Sequence, residues 1–134
     1  MFLKFNNPIF HDGINSTVRR GVKWAIAEEG EFGHPILCTK EPFGDDGQHK
    51  IIGFASVTRT RVLRMCDILE TMLSNEHDPA CRTYHGLLFE MKKVYGDFDE
   101  HEIVTILDFE YCHTGKEYYH KLSTRKILRN MEEI

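Results

Sequence analysis

Phe10-His11-Asp12-Gly13-Ile14-Asn15-Ser16-Thr17-Val18-Arg19-Arg20-Gly21-Val22-Lys23-Trp24 is the stretch whose reading decides the fold. Gly13, Asn15, Ser16 and Thr17 supply turn and capping chemistry, because short hydrogen-bonding side chains satisfy nearby backbone groups. Thr17 to Arg20 then starts a strand, since β-branched residues fit a pleated, half-buried surface. Upstream, Asn7 and Pro8 suit the cap and first turn of a short helix that Gly13 would end. The stretch therefore predicts helix, turn, strand, with Val22 to Ala27 continuing extended. Arg19, Arg20 and Lys23 place a cationic cluster beside the hydroxyl-rich turn. Guanidinium forks and backbone amides of this kind suit a phosphate or a nucleotide. The competing reading pairs Arg19 and Arg20 with Glu28 or Glu31 on the strand surface.

Outward from this stretch, strands are expected over Phe2 to Phe5, His34 to Lys40, Lys50 to Met65 and Ile103 to Tyr111. Glu28 to Gly33 and Pro42 to Gln48 read as loops. Gly53 marks a bulge or a close backbone approach. Arg59 and Arg61 share a strand face by alternation. Cys66 to Asn75 reads as one helix. Thr83 to Gly96 reads as another, with Tyr84, Leu87, Leu88, Met91, Val94 and Tyr95 at three- and four-residue steps. Ser123 is placed to cap a last helix carrying Ile127, Leu128 and Met131. Trp24 reads as a core or rim anchor.

This ordered set resembles the ASCH family, a branch of the PUA-like β-barrel superfamily, whose motif is G-x-K-x-x-T-x-R. Gly13, Thr17 and Arg19 carry the match in G-I-N-S-T-V-R. The spacing from glycine to threonine is one residue short, and Ile14 or Asn15 stands where the lysine is expected. Ile52-Gly53-Phe54-Ala55-Ser56-Val57-Thr58 is similar to the family's central strand. Val94-Tyr95-Gly96-Asp97-Phe98 followed by Glu102 to Phe109 is similar to its closing helix and strand. The resemblance covers residues 1–111 and implies an α+β domain. Its expected form is a small, mostly antiparallel PUA-like β-barrel flanked by helices, with residues 112–134 as a C-terminal helical extension of the same single domain.

The resemblance implies a nucleic-acid-binding module that takes RNA or another single strand in a basic groove. Its expected lining is Gly13, Asn15, Ser16, Thr17, Arg19, Arg20 and Lys23, with Arg59 and Arg61. It also implies an alternative, a small hydrolase of a modified nucleoside such as acetylcytidine, or of RNA. Thr17, Lys23 and Glu76 would then be the catalytic residues, with Lys23 replacing the absent lysine. His11, His77 and His85 are possible acids or bases. A third possibility is a regulatory protein-interaction domain that uses the acidic surface and the tail.

With 134 residues, 17 Lys and Arg against 21 Asp and Glu, and a net charge of −4, the chain is sized for one core and is not a general polyanion binder. A nucleic-acid role must rest on a local patch. The four cysteines form no C-x-x-C pair, which argues against a zinc ribbon. Cys112, His113 and His120 match no common zinc-finger spacing, so no metal or cofactor is expected. Gly44-Asp45-Asp46-Gly47 lacks a calcium-loop pattern and reads as a hairpin tip. No secretory h-region and no membrane-length apolar run are present, so a reduced, cytoplasmic protein is expected.

Overall fold

The computed structural model describes residues 2–27, 36–40 and 50–132. The loops expected over 28–33 and 42–48, Glu28 and Glu31 among them, lie outside the described residues. Among the described residues, five strands form one curled half-barrel sheet: β1 (Phe2–Phe5), β2 (Ile14–Arg20), β3 (Ile36–Lys40), β4 (Lys50–Arg64) and β5 (Ile103–Cys112). The described residues also form the α-helices α1 (Tyr84–Tyr95) and α2 (Gly115–Glu132). The strand order is β1-β3-β4-β5-β2, so the first two strands of the chain are the two sheet edges. β1 runs parallel to β3 and the other pairings are antiparallel, which makes the sheet mixed.

β5 explains why both faces of the sheet are packed. Leu107 and Phe109 point into a core with Leu3, Phe5, Trp24, Cys38 and Val57. Val104 and Ile106 point the other way, into a core with Val18, Met65, Leu87 and Met91. This is the alternation that a strand buried on both sides requires. Trp24 is a core residue, as expected. Gly53 is held to glycine by proximity, since a Cβ there would lie 2.6 Å from the Cys112 carbonyl oxygen.

The 15-residue β4 changes face partway along. Its register with β5 shifts between Val57 and Arg59, so Val57 opposes Phe109 while Arg59 opposes Asp108. The extra residue, Thr58, turns Arg59 and Arg61 away from the face that carries Ala55 and Val57. The two arginines do share a face, but it is the one opposite to that which simple alternation along β4 assigns.

α1 forms as its periodicity predicts. The Thr83 hydroxyl accepts the Gly86 N–H at 3.1 Å, and the Gly96 N–H closes on the Lys92 carbonyl at 2.9 Å. Leu87 and Met91 bury its inner face. Other local expectations are corrected. Residues 8–11 are not helical, and β2 begins at Ile14, one residue after Gly13 (φ +80°). Residues 22–27 turn instead of extending, with Ala25 N–H on Val22 O and Ala27 N–H on Trp24 O. The segment after β4 is two 3₁₀ turns, Met65–Asp67 and Glu70–Leu73. Met65 and Cys66 give their N–H groups to Glu102 and Glu100 carbonyls, so the backbone there is tied to a neighbouring loop. α2 starts at Gly115 and not at Ser123, because the Thr114 hydroxyl accepts the Glu117 N–H at 3.1 Å. It lies along β4 and β5 through Tyr118 against Phe54, Lys121 to Glu110 and Arg125 to the Val57 carbonyl.

Candidate functional site: the seam between the edge strands

β1 and β2 are the open edges of the curled sheet, and residues 75–77 and the Arg19 side chain bridge the seam between them. Residues 75–77 run beside β2 as a one-residue parallel bridge, with Ser16 N–H on Asn75 O (2.7 Å) and His77 N–H on Ser16 O (3.0 Å). Arg19 reaches from β2 to the Lys4 carbonyl of β1 at 2.6 Å. Its guanidinium also lies 4.9 Å from the Phe5 ring centroid. The turn before β2 is fixed by Asn15, whose side chain accepts the His11 N–H at 3.0 Å and donates to the His11 carbonyl at 2.8 Å.

A cleft of about 260 Å³ opens at this seam. Lys4, Phe5 and Asn7 line it from the β1 side, Thr17 and Arg19 from β2, Glu76 and His77 from the bridging segment, Asp78 from the stretch that follows it, and Glu90 and Tyr95 from α1. Glu76 is 2% exposed, and its Oε2 is buried with no hydrogen-bond partner. Burial pushes the Glu76 carboxyl up to about 8, against the opposing pull of Arg19 and the Asp78 backbone amide. His77 packs against both the Phe5 and Phe10 rings, which also touch each other. Burial drives its imidazole down to about 4, although its hydrogen bond with the Ile9 carbonyl opposes the shift. A carbonyl only accepts, so the proton of neutral His77 is on Nδ1, 3.1 Å from Ile9 O. Nε2 is left as an acceptor, 3.4 Å from Glu76 Oε1. Near neutral pH the pair is a carboxylic acid facing an imidazole lone pair, not an ion pair.

The structure gathers three of the expected residues, Thr17, Arg19 and Glu76, on this one cleft. The others are dispersed. Gly13 lines a separate cavity of about 560 Å³ between residues 8–13 and the start of α2. Asn15 holds the turn, and the Ser16 hydroxyl donates to Asp108 at 2.7 Å. Arg20 is paired with Asp97 (3.0 Å) and Glu102 (2.7 Å). Lys23 lies in the turn after β2, with its ammonium 5.7 Å from the Trp24 ring centroid, outside the cleft lining. Arg59 and Arg61 both bind the buried carboxylate of Asp108, at 2.9 and 3.2 Å. Of the basic residues that the resemblance places in a groove, Arg19 lines this cleft, while Arg20, Arg59 and Arg61 are each paired with a carboxylate. Lys4, Asp78 and Tyr95 are cleft residues that sequence reasoning did not single out. Lys4 offered only the alternation of Phe2 to Phe5, which points it away from the core.

Among the described residues no group of three histidine, cysteine or acidic side chains converges to hold a metal ion. No described helix is long and apolar enough to cross a membrane. No family model matches the chain, and neither the curated proteins nor the solved structures compared with it gave a match.

Proposed function

We propose that this chain is an RNA-binding module of ASCH/PUA-like type that takes one unstacked nucleobase into the seam cleft. The observation that supports this reading is the convergence of the motif residues Thr17 and Arg19 with Glu76 and His77 on one small polar cleft. Its volume lies just under the ~300 Å³ lower end for drug-sized ligands, which selects a fragment such as one heterocycle over a longer strand. Single-stranded bases are recognised by hydrogen bonds to their edges and by stacking on aromatic or guanidinium planes. Glu76, Thr17, Tyr95 and Arg19 are residues of those types. The test is a fluorescence anisotropy titration with short labelled single-stranded RNA and DNA at two salt concentrations. Arg19→Ala weakens binding and Arg20→Ala leaves it intact. Equal loss in both variants, or binding by neither the native chain nor the variants, contradicts the reading.

A second reading, hydrolysis of an acylated nucleoside, is favoured by Lys4, which lines the same cleft as Thr17 and Glu76 and offers an ammonium where Lys23 does not. Such chemistry needs an activated nucleophile and a donor for the developing oxyanion. Incubation with acetylcytidine, followed by chromatography, decides it. Release of cytidine that Lys4→Met abolishes supports hydrolysis, and no release leaves binding as the function.

A further inference from the structure

Buried polar atoms in folded proteins almost always have partners, and an exception calls for a physical reason. Glu76 Oε2 is such an exception, in a residue that lines a cleft. Its sister oxygen, Oε1, faces the lone pair of His77 Nε2, so the proton of the carboxyl has a place to go on that side. Oε2 is then an acceptor with nothing to accept. We propose that Glu76 is the specificity-determining residue of the seam cleft: its Oε2 accepts a hydrogen bond from an amino or imide N–H on the edge of a neutral heterocyclic base. This inference rests on the nucleobase reading above and narrows it to bases that present an N–H.

The surroundings agree with a neutral donor and not with an anion at this end of the cleft. A phosphate or carboxylate brings only acceptors and would leave Oε2 unsatisfied, at the full cost of a buried unmade bond. The charged groups around Glu76 are Lys4 on β1, Arg19 on β2, Asp78 and Arg82 in the stretch that follows the bridging segment and Glu90 on α1, with His77 neutral. Burial outweighs these charges at Glu76, and the largest of them is Arg19. A ligand N–H binds a carboxylate more strongly than a carboxylic acid, so its binding releases the Glu76 proton to solvent. Affinity for an N–H-bearing base therefore rises with pH until Glu76 is ionised in the unliganded protein, near its value of about 8.

The experiment is a titration of the ¹⁵N-labelled native chain, followed by amide chemical shifts, with matched nucleosides. Cytidine is compared with N4,N4-dimethylcytidine, and uridine with 3-methyluridine. The parent nucleosides shift cleft amides from 17–19 and 76–78, and the methylated partners bind at least about tenfold more weakly. In Glu76→Gln, whose amide does not titrate, cytidine affinity is flat from about pH 6 to about pH 8, where the native chain's affinity rises. Equal binding of parent and methylated nucleosides at the same amides overturns the inference and leaves the nucleobase reading standing. No shift of cleft amides by any nucleoside overturns both. If Glu76→Gln does not fold, the matched pairs on the native chain decide the question alone.

Discussion

Glu76 Oε1 faces His77 Nε2 at 3.4 Å, and both side chains are almost wholly withdrawn from water. Sequence neighbours rarely face one another in regular structure. These two do because residues 75–77 are held as a short extended bridge against Ser16 of β2. Burial favours the neutral form of each group, so the pair shares one proton across two sites near neutral pH.

The pH dependence of stability follows from this pair. Folded Glu76 keeps a proton that the unfolded chain, at the ordinary carboxyl value of 4.5, has lost, so stability falls as pH rises from 4.5 towards about 8. Folded His77 refuses a proton that the unfolded chain takes up below 6.5, so stability falls as pH drops from 6.5 towards about 4. Between 4.5 and 6.5 the two slopes oppose each other. The expected profile is a plateau there and a decline above 6.5, by at most about 1.4 kcal/mol per pH unit. Urea unfolding at a series of pH values measures it, and Glu76→Gln removes the alkaline decline.

Asp108 is the polar hub of the sheet face that carries Val104 and Ile106, binding Arg59, Arg61 and the Ser16 hydroxyl. Asp108→Asn is expected to destabilise the protein by about 1–3 kcal/mol in denaturant titration. The cost stays moderate because Arg59, with a side chain 58% exposed, can return to water. Arg59→Ala and Arg61→Ala leave affinity for single-stranded RNA unchanged within about twofold, because their charge is already satisfied away from the cleft.

Gly53 packs against the end of β5. Gly53→Ala places a methyl group 2.6 Å from the Cys112 carbonyl oxygen and 2.5 Å from the Tyr111 hydroxyl oxygen. The backbone oxygen cannot step aside as a side chain would, so β3, β4 and β5 must shift together. A loss of about 1–3 kcal/mol is expected by thermal or urea unfolding.

Thiol reactivity reports the packing of both cores. Cys38, Cys81 and Cys112 are buried and Cys66 is exposed. Burial pushes the Cys38 thiol up to about 12 and Cys112 to about 11, and raises Cys81 as well. A chromogenic disulfide reagent at neutral pH therefore labels one thiol rapidly in the native chain and four in denaturant.

Much of this fold was legible in the sequence because it rests on local signals. The period-two pattern of Phe2 to Phe5, the long apolar run from Lys50 and the Thr83-to-Gly96 helix with its caps each carry their own physics. The misread segments depend on distant partners. The stretch from Cys66 to Asn75 looks helical until the carbonyls of Glu102 and Glu100 take the N–H groups of Met65 and Cys66. Residues 22–27 look extended until Gly21 is tied to Ile103 and Thr60 reaches the Ala25 carbonyl. The site was half legible. Thr17, Arg19 and Glu76 were named and do share a cleft. Arg59 and Arg61 share a face as alternation requires, but one residue of bulge, invisible to alternation, carries them to the face of Asp108. Lys4 was missed because its contribution depends on β1 and β2 meeting as opposite edges of one curled sheet, a matter of topology that no short motif encodes.

The most direct measurement is photocrosslinking of the native chain to a short single-stranded RNA carrying one 4-thiouridine, with the adduct mapped by mass spectrometry. Crosslinks to the peptides that contain Thr17 and Arg19, or Glu76 and His77, are expected, and they should be lost when an excess of unlabelled RNA competes. Crosslinks confined to the Arg59–Arg61 face or to α2, or none above those formed by a protein that does not bind RNA, would contradict a nucleobase site at the seam.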